Sequence, residues 1–217
     1  NCSSTDPDMG EDALTGLQDR RAFQLALRRI VSTANEKQDS IALMVVDVDG
    51  FAAVNGIHGY EFGDRALRYL ADQLGQVARK QDFIARIGDD RFAIILPRIM
   101  NPGHAELAVQ KLLRLLDTPF QSGEARVKLA VTVGVAMCPL HATHPEYLTR
   151  LAERALHSAR VAGRRFEFPA ETGKDDVLTE LWDLEMDLSG AVQRGEMKLL
   201  YQPKVRCSDG RPVGAEA

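Results

Sequence analysis

The sequence is poor in the features that disulfide scaffolds, zinc sites, membrane spans and nucleic-acid binders depend on. It has three cysteines, Cys2, Cys138 and Cys207, an odd number with no CxxC pair. That excludes a disulfide framework and a standard structural zinc site. His141 and His144 lie near Cys138, but their spacing matches no standard zinc motif. The most apolar run, Ile41 to Val46, is far too short to cross a bilayer. The opening NCSSTDPDMGED is polar and acidic, so no signal peptide is read there. A reducing, cytoplasmic setting fits these features. Positive charge is not in excess: the formal net charge is -4. Nonspecific nucleic-acid binding is therefore disfavoured, and a phosphate ligand would need positive charge gathered locally. No initiator methionine stands at the start. The chain is expected to be part of a longer protein whose remainder carries a sensor or a membrane anchor.

What is present is an ordinary globular composition, 45% hydrophobic and 27% charged over 217 residues. That length allows one large domain, or one domain with part of another. Residues 1–12 read as a polar linker. Apolar spacing predicts helices over Arg21–Asn35, Tyr60–Arg79, Pro102–Asp117 and Pro145–Ala162. The near-continuous apolar segment 41–49 reads as a strand covered on both faces. Phe83–Ile87 and Arg91–Leu96 read as a hairpin around Gly88-Asp89-Asp90. Arg126–Met137 reads as one further strand, and Phe166–Phe168 as a short edge strand. The order β-α-β-β-α-β, preceded by a helix, predicts an α/β sandwich of the ferredoxin-like type with a central, mainly antiparallel sheet. Residues 13–168 would form this domain and 169–176 a linker. Residues 177–217 would begin another unit, with a helix over Leu178–Arg194 and strands around 197–201 and 212–215. That segment is too small to bury a core alone.

Several residue groups carry chemistry on their own terms. Asp47 and Asp49 end a buried strand and share one face. A carboxylate there needs a partner, and a divalent metal is one option. A solvated strand end or a helix cap is the other. Asp90, at the hairpin tip, adds a carboxylate if the hairpin packs beside Asp47. Asn55, Gly56, Gly59, Gly63 and Asp64 form a glycine-rich, polar stretch before a helix, suited to an anion or to plain capping. Arg160, Arg164 and Arg165 sit at a helix end, where they complement the dipole or grip phosphate. Arg79 and Asp82 form an RxxD pair, which alone reads equally as a surface ion pair.

Taken together these segments resemble a known family. DALTGLQDRRAF (12–23) resembles the DxLTGLxNRR opening of GGDEF domains, and VVDVDGFAAVNGIHGYEFGDRAL (45–67) their DxDxFKxxNDxxGHxxGDxxL segment. RIGDDRFAIIL (86–96) resembles RxGGDEFxxLL, and ALHSARVAGRRF (155–166) resembles ALYxAKxxGRNR. The tail 181–217, with RGE, LLYQPK and GAEA, looks like the start of an EAL phosphodiesterase barrel. The chain resembles a GGDEF–EAL tandem protein of cyclic di-GMP signalling.

The resemblance implies that Asp47 and Asp90, with the Val48 carbonyl, bind Mg2+ or Mn2+. It implies that Asn55 and Asp64 read guanine, that Arg160 and Arg164 hold phosphates, and that Arg79 and Asp82 form an inhibitory cyclic di-GMP site. That site fits the register, nine and six residues before Gly88. In the tail, Gln202 would contact cyclic di-GMP and Glu216 would bind metal. GTP, cyclic di-GMP and a second copy of the chain are the implied partners.

The signature itself departs from the family: it reads Gly88-Asp89-Asp90-Arg91-Phe92. Asp89 replaces a glycine and brings negative charge towards a polyphosphate, a repulsion of roughly 3 kcal/mol at about 5 Å and an effective dielectric near 20. Arg91 replaces a catalytic carboxylate, and a guanidinium neither serves as a base nor attracts a metal. Ala52 replaces a phosphate-contacting lysine. The expectation is therefore a catalytically impaired, regulatory GGDEF domain for an adjoining EAL phosphodiesterase. A weak diguanylate cyclase and a non-catalytic dimerisation scaffold are the alternatives.

Overall fold

The computed structural model describes residues 10–169, 202–208 and 210–216. The chain divides into two compact units, Asn1–Gly173 and Lys174–Ala217.

In the first unit, the helix α1 (Arg20–Lys37) starts where Asp19 accepts a hydrogen bond from the Ala22 amide at 2.8 Å. That satisfies one of the unpaired N–H groups of the first turn. Its buried residues, Ala22, Phe23, Ala26, Leu27, Val31 and Ala34, repeat at helical spacing. The strand β1 (Ile41–Val48) is buried along its whole length. It is followed by α2 (Phe51–His58) and α3 (Tyr60–Val77). The strands β2 (Phe83–Arg86) and β3 (Arg91–Leu96) form the expected hairpin. After α4 (Pro102–Leu115) come β4 (Phe120–Ser122), β5 (Ala125–Val127), β6 (Val131–Cys138), α5 (Pro145–Val161) and β7 (Phe166–Glu167).

The main sheet has the order β2-β3-β1-β6-β7. Its first three pairings are antiparallel and β6–β7 is parallel. This is the mixed α/β fold with a mainly antiparallel sheet that the element order predicted.

Strand alternation gives the sheet two different faces. Met44, Val46, Phe92, Ile94, Val133 and Val135 pack with Leu67, Leu70 and Leu74 of α3 and with Val109 and Leu112 of α4. The opposite face carries the alternate register rows: Leu43 beside Ile95 and Ala136, Val45 beside Ala93 and Gly134, and Asp47 beside Arg91 and Thr132. Small residues let α5 lie close to this face. A Cβ on Gly134 would stand 1.9 Å from the Ala152 carbonyl oxygen and 2.5 Å from the Leu156 amide nitrogen. Both faces of the sheet are covered, which is why β1 reads as a continuous apolar run rather than an alternating one.

Two readings of the sequence are corrected. Residues 126–137 are not one strand: β4 and β5 pair in a separate small hairpin with a turn at Gly123 (φ 61°), and the sheet strand begins at Val131. Asn55 and Gly56 do not lie in a loop but inside α2. Gly50 (φ 66°) opens that helix, and Gly59 (φ 85°) both closes it and opens α3. An eight-residue helix with Gly56 in it has too little intrinsic helical preference to show in apolar periodicity; contact with α3 stabilises it.

The second unit contains one antiparallel hairpin among the described residues, β8 (Gln202–Val205) with β9 (Pro212–Glu216). The expected helix 178–194 and the strand around 197–201 lie outside the described residues.

Candidate functional site at the end of the central strand

Asp47 is the seventh residue of β1 and is only 4% exposed. A carboxylate this deep must be paired. The register places Arg91 directly across from it on β3 and Thr132 directly across on β6. Arg91 Nε donates to Asp47 Oδ2 at 2.8 Å. Arg160, in the last turn of α5, donates from Nη2 to Asp47 Oδ1 at 2.5 Å and to Asp49 Oδ1 at 3.1 Å. Thr132 Oγ1 donates to both Asp49 oxygens, at 2.8 and 3.0 Å. Both oxygens of Asp47 therefore accept charge-assisted hydrogen bonds, the stronger kind. The Asp47 bond, with Asp49 behind it, holds Arg160 protonated above its ordinary range.

The hairpin tip is fastened beside this pair. The Val48 amide donates to the Asp90 carbonyl at 3.1 Å, so Asp90 does come to the end of β1, as the resemblance required. Burial pushes the Asp90 carboxyl up from its ordinary range, and the charge of Asp47 adds to that. Arg86 fixes the tip from the other side. Its Nη2 donates to the Asp89 carbonyl at 2.8 Å, and its Nη1 reaches both oxygens of Asp12 at 3.1 and 3.2 Å. Burial alone would raise the Asp12 carboxyl. Hydrogen bonds from Thr15 and Arg86 outweigh it and hold Asp12 below the usual carboxylate range. Among the described residues, only Gln38 and Arg98 are non-glycine residues with positive φ, so Asp89 fits the turn without left-handed strain.

Of the residues expected to read guanine, Asn55 meets α3 at Gly63, the residue before Asp64. The helices α2 and α3 touch at Gly63, where a Cβ would stand 1.8 Å from Asn55 Oδ1 and 3.1 Å from the Phe51 ring. Asp64, exposed, follows that contact by one residue. Asn55 Oδ1 is buried without a hydrogen-bond partner. Arg164, at the end of α5, is held by Glu167 at 2.9 Å and is not joined to the Asp47 pair.

A divalent ion does not fit this arrangement. Mg2+ takes oxygen ligands at about 2.0–2.1 Å in a near-octahedral shell. Here both oxygens of Asp47 face guanidinium groups, and among the described residues no three His, Cys, Asp or Glu side chains group as metal ligands.

Arg79 and Asp82 lie at the other end of β2. They do not meet as a simple ion pair. The Arg79 amide donates to Asp82 Oδ2 at 2.6 Å, and the Asp82 amide returns a bond to the Arg79 carbonyl at 3.0 Å. Burial raises the Asp82 carboxyl above its ordinary range, against the bonds from Arg79. Both residues line a cavity of about 360 Å³ together with His104 and Lys111. In the second unit, Gln202 and Glu216 are cross-strand partners in the β8–β9 register.

The roles of Arg86, Asp12 and Thr132 were not read from the sequence. Thr132 was findable only from the β1–β6 register, because it stands 83 residues from the Asp49 it bonds.

These features are those of a GGDEF domain. The family described as "Diguanylate cyclase, GGDEF domain" matches residues 10–165, and the chain belongs to it. The chain is 30% identical over 206 residues to the bifunctional diguanylate cyclase/cyclic di-GMP phosphodiesterase MucR of Pseudomonas aeruginosa; the match covers 95% of this chain and 30% of MucR. The GGDEF domain of TpbB from the same organism superposes with a TM-score of 0.72 at 28% identity, covering 74% of this chain and 95% of that one. The GGDEF domain of DgcB from Caulobacter crescentus, solved in complex with cyclic di-GMP, gives a TM-score of 0.66 at 28% identity, covering 75% and 93%. The chain thus spans less than a third of the length of MucR. No described helix is long and apolar enough to cross a membrane.

Proposed function

We propose that this chain is the regulatory part of a cyclic di-GMP signalling protein: a GGDEF domain impaired in catalysis that binds GTP, cyclic di-GMP or both, and adjusts an EAL phosphodiesterase beginning in residues 177–217. The observation that carries this reading is Arg91, which stands where active members have a carboxylate and which hydrogen-bonds Asp47. A positioned acid or base contributes about 10²–10⁴-fold to rate, and its replacement by a guanidinium removes that contribution. Asn55 and Asp64 remain adjacent at the Gly63 contact, which favours retention of a guanine site. GGDEF cyclases generally use Mg2+ or Mn2+ with GTP; this reading includes no step through such an ion. In the cytoplasm a second copy of the chain would supply the facing domain.

The test is a titration of GTP and of cyclic di-GMP by calorimetry, with product formation followed by chromatography. Binding without turnover is expected. Sustained cyclic di-GMP synthesis would favour the cyclase reading, and failure to bind either ligand would favour a dimerisation scaffold.

A second reading concerns Arg79 and Asp82. The cavity beside them favours a cyclic di-GMP site there, since guanidinium groups pair with phosphate and stack on bases.

A further inference from the structure

We propose that Arg91 and Arg160 are built-in cations that take the place of a divalent metal at Asp47, so that this site excludes Mg2+ and Mn2+. Asp47 is nearly fully buried, and its two oxygens are taken by two different guanidinium groups, Arg91 on Oδ2 and Arg160 on Oδ1. Arg91 is fixed opposite Asp47 by the β1–β3 register, so no backbone shift short of breaking the sheet separates them. Arg160 is tied a second time, through Asp49, and Asp49 is itself held by Thr132.

A metal entering here would have to share Asp47 with a guanidinium or displace one, and in either case sit beside its positive charge. A guanidinium keeps its charge under all ordinary conditions, so it cannot step aside by losing a proton. The carboxylate nearest to Asp47 in the hairpin, Asp90, is tied by its own backbone carbonyl to Val48, and one carboxylate does not replace the two oxygens already committed. The arginine side chains are 45% and 42% exposed, so their outer nitrogens remain open to an anion while Asp47 is satisfied. An anionic group docking here, such as a nucleotide phosphate, would meet protein cations in place of a metal. This last consequence rests on the nucleotide reading above; the exclusion of metal does not.

The experiment uses the 217-residue chain and Mn2+ alone, read by electron paramagnetic resonance of the free ion. Wild type is expected to show no Mn2+ site that the Asp47→Asn substitution removes. Arg91→Glu is expected to gain a site at least 10-fold tighter than anything wild type shows, lost again when Asp47→Asn is added. Arg91→Gln, which removes the charge without adding an acid, is expected to gain several-fold and guards against misfolding of the first variant. An Asp47-dependent Mn2+ site in wild type, or no gain in either folded Arg91 variant, overturns the proposal. GTP titrations in EDTA and in Mg2+ then separate the two readings. Equal affinity within about 3-fold supports both. No binding in either buffer sinks the nucleotide reading, while the Mn2+ result still decides this one.

Discussion

The two ends of the main sheet hold charged side chains in opposite ways. At the hairpin end, Asp47, Asp49, Arg91, Arg160 and Thr132 satisfy one another. At the far end, Asp82 bonds the backbone of Arg79, which leaves the Arg79 guanidinium beside a cavity. A closed network contributes to the fold; a locally capped pair contributes little to it and leaves a guanidinium beside a cavity. The difference follows from burial. A buried carboxylate is costly unless paired, whereas a half-buried one beside a turn is satisfied by a single amide.

Four measurements would break or sharpen that contrast. The largest effect is expected in turnover. Converting the tip towards the active signature with Asp89→Gly and Arg91→Glu together is expected to raise cyclic di-GMP synthesis from GTP by about 10²-fold or more. Product quantified by chromatography checks it, and an unchanged rate would mean that the closed network does not hold activity down. The same pair of changes at the far end has no counterpart, because no chemistry is expected there.

Next comes ligand affinity. Arg79→Ala is expected to weaken cyclic di-GMP binding by at least about 10-fold, the order of a lost charge-assisted contact, while Arg160→Ala leaves it unaltered. Calorimetry on both variants decides the matter. Equal losses would show that the ends are not independent.

Stability should reverse the ranking. Asp47→Ala strips two guanidinium groups of their shared partner and is expected to cost about 2–3 kcal/mol, a fall in Tm of roughly 5–10 °C for a chain of this size. Asp82→Ala removes one exposed-side cap and is expected to cost under about 1 kcal/mol. Thermal melts of the two variants side by side provide the check.

The smallest effect concerns pH. The carboxyl of Asp12 is lowered in the folded state, so its hydrogen bonds from Thr15 and Arg86 together contribute stability above the unfolded value of about 3.9 and lose it as pH falls through the lower folded value. Asp12→Asn is therefore expected to flatten the decline in Tm between about pH 5 and 3, by an amount equivalent to about 1 kcal/mol. Parallel curves for variant and wild type would show that the bonds from Thr15 and Arg86 to Asp12 do not contribute to stability.

Much of the fold was legible because local chemistry and tertiary placement agreed. The run Ile41–Val46 is apolar throughout because α3 and α4 cover one face of β1 and α5 the other. Helices read as starting at Pro102 and Pro145 do start there. Gly88-Asp89-Asp90 marks a turn and is one. The helix α2 escaped detection because its stability comes from α3 and not from its own residues. The β4–β5 hairpin escaped because its three-residue strands abut the apolar run that follows, and no period separates the two.

In the candidate site, the residue types were readable and their partnerships were not. The sequence by itself determined that acids and arginines would gather where β1, the hairpin and the end of α5 meet, since those segments carry the family's spacing. It also determined that an arginine, Arg91, follows Asp90 where β3 begins. Only the tertiary structure decided what neutralises Asp47. Its partners lie 44 and 113 residues away along the chain. They are set beside it by antiparallel register and by the close packing of α5 over Gly134, which no local pattern encodes.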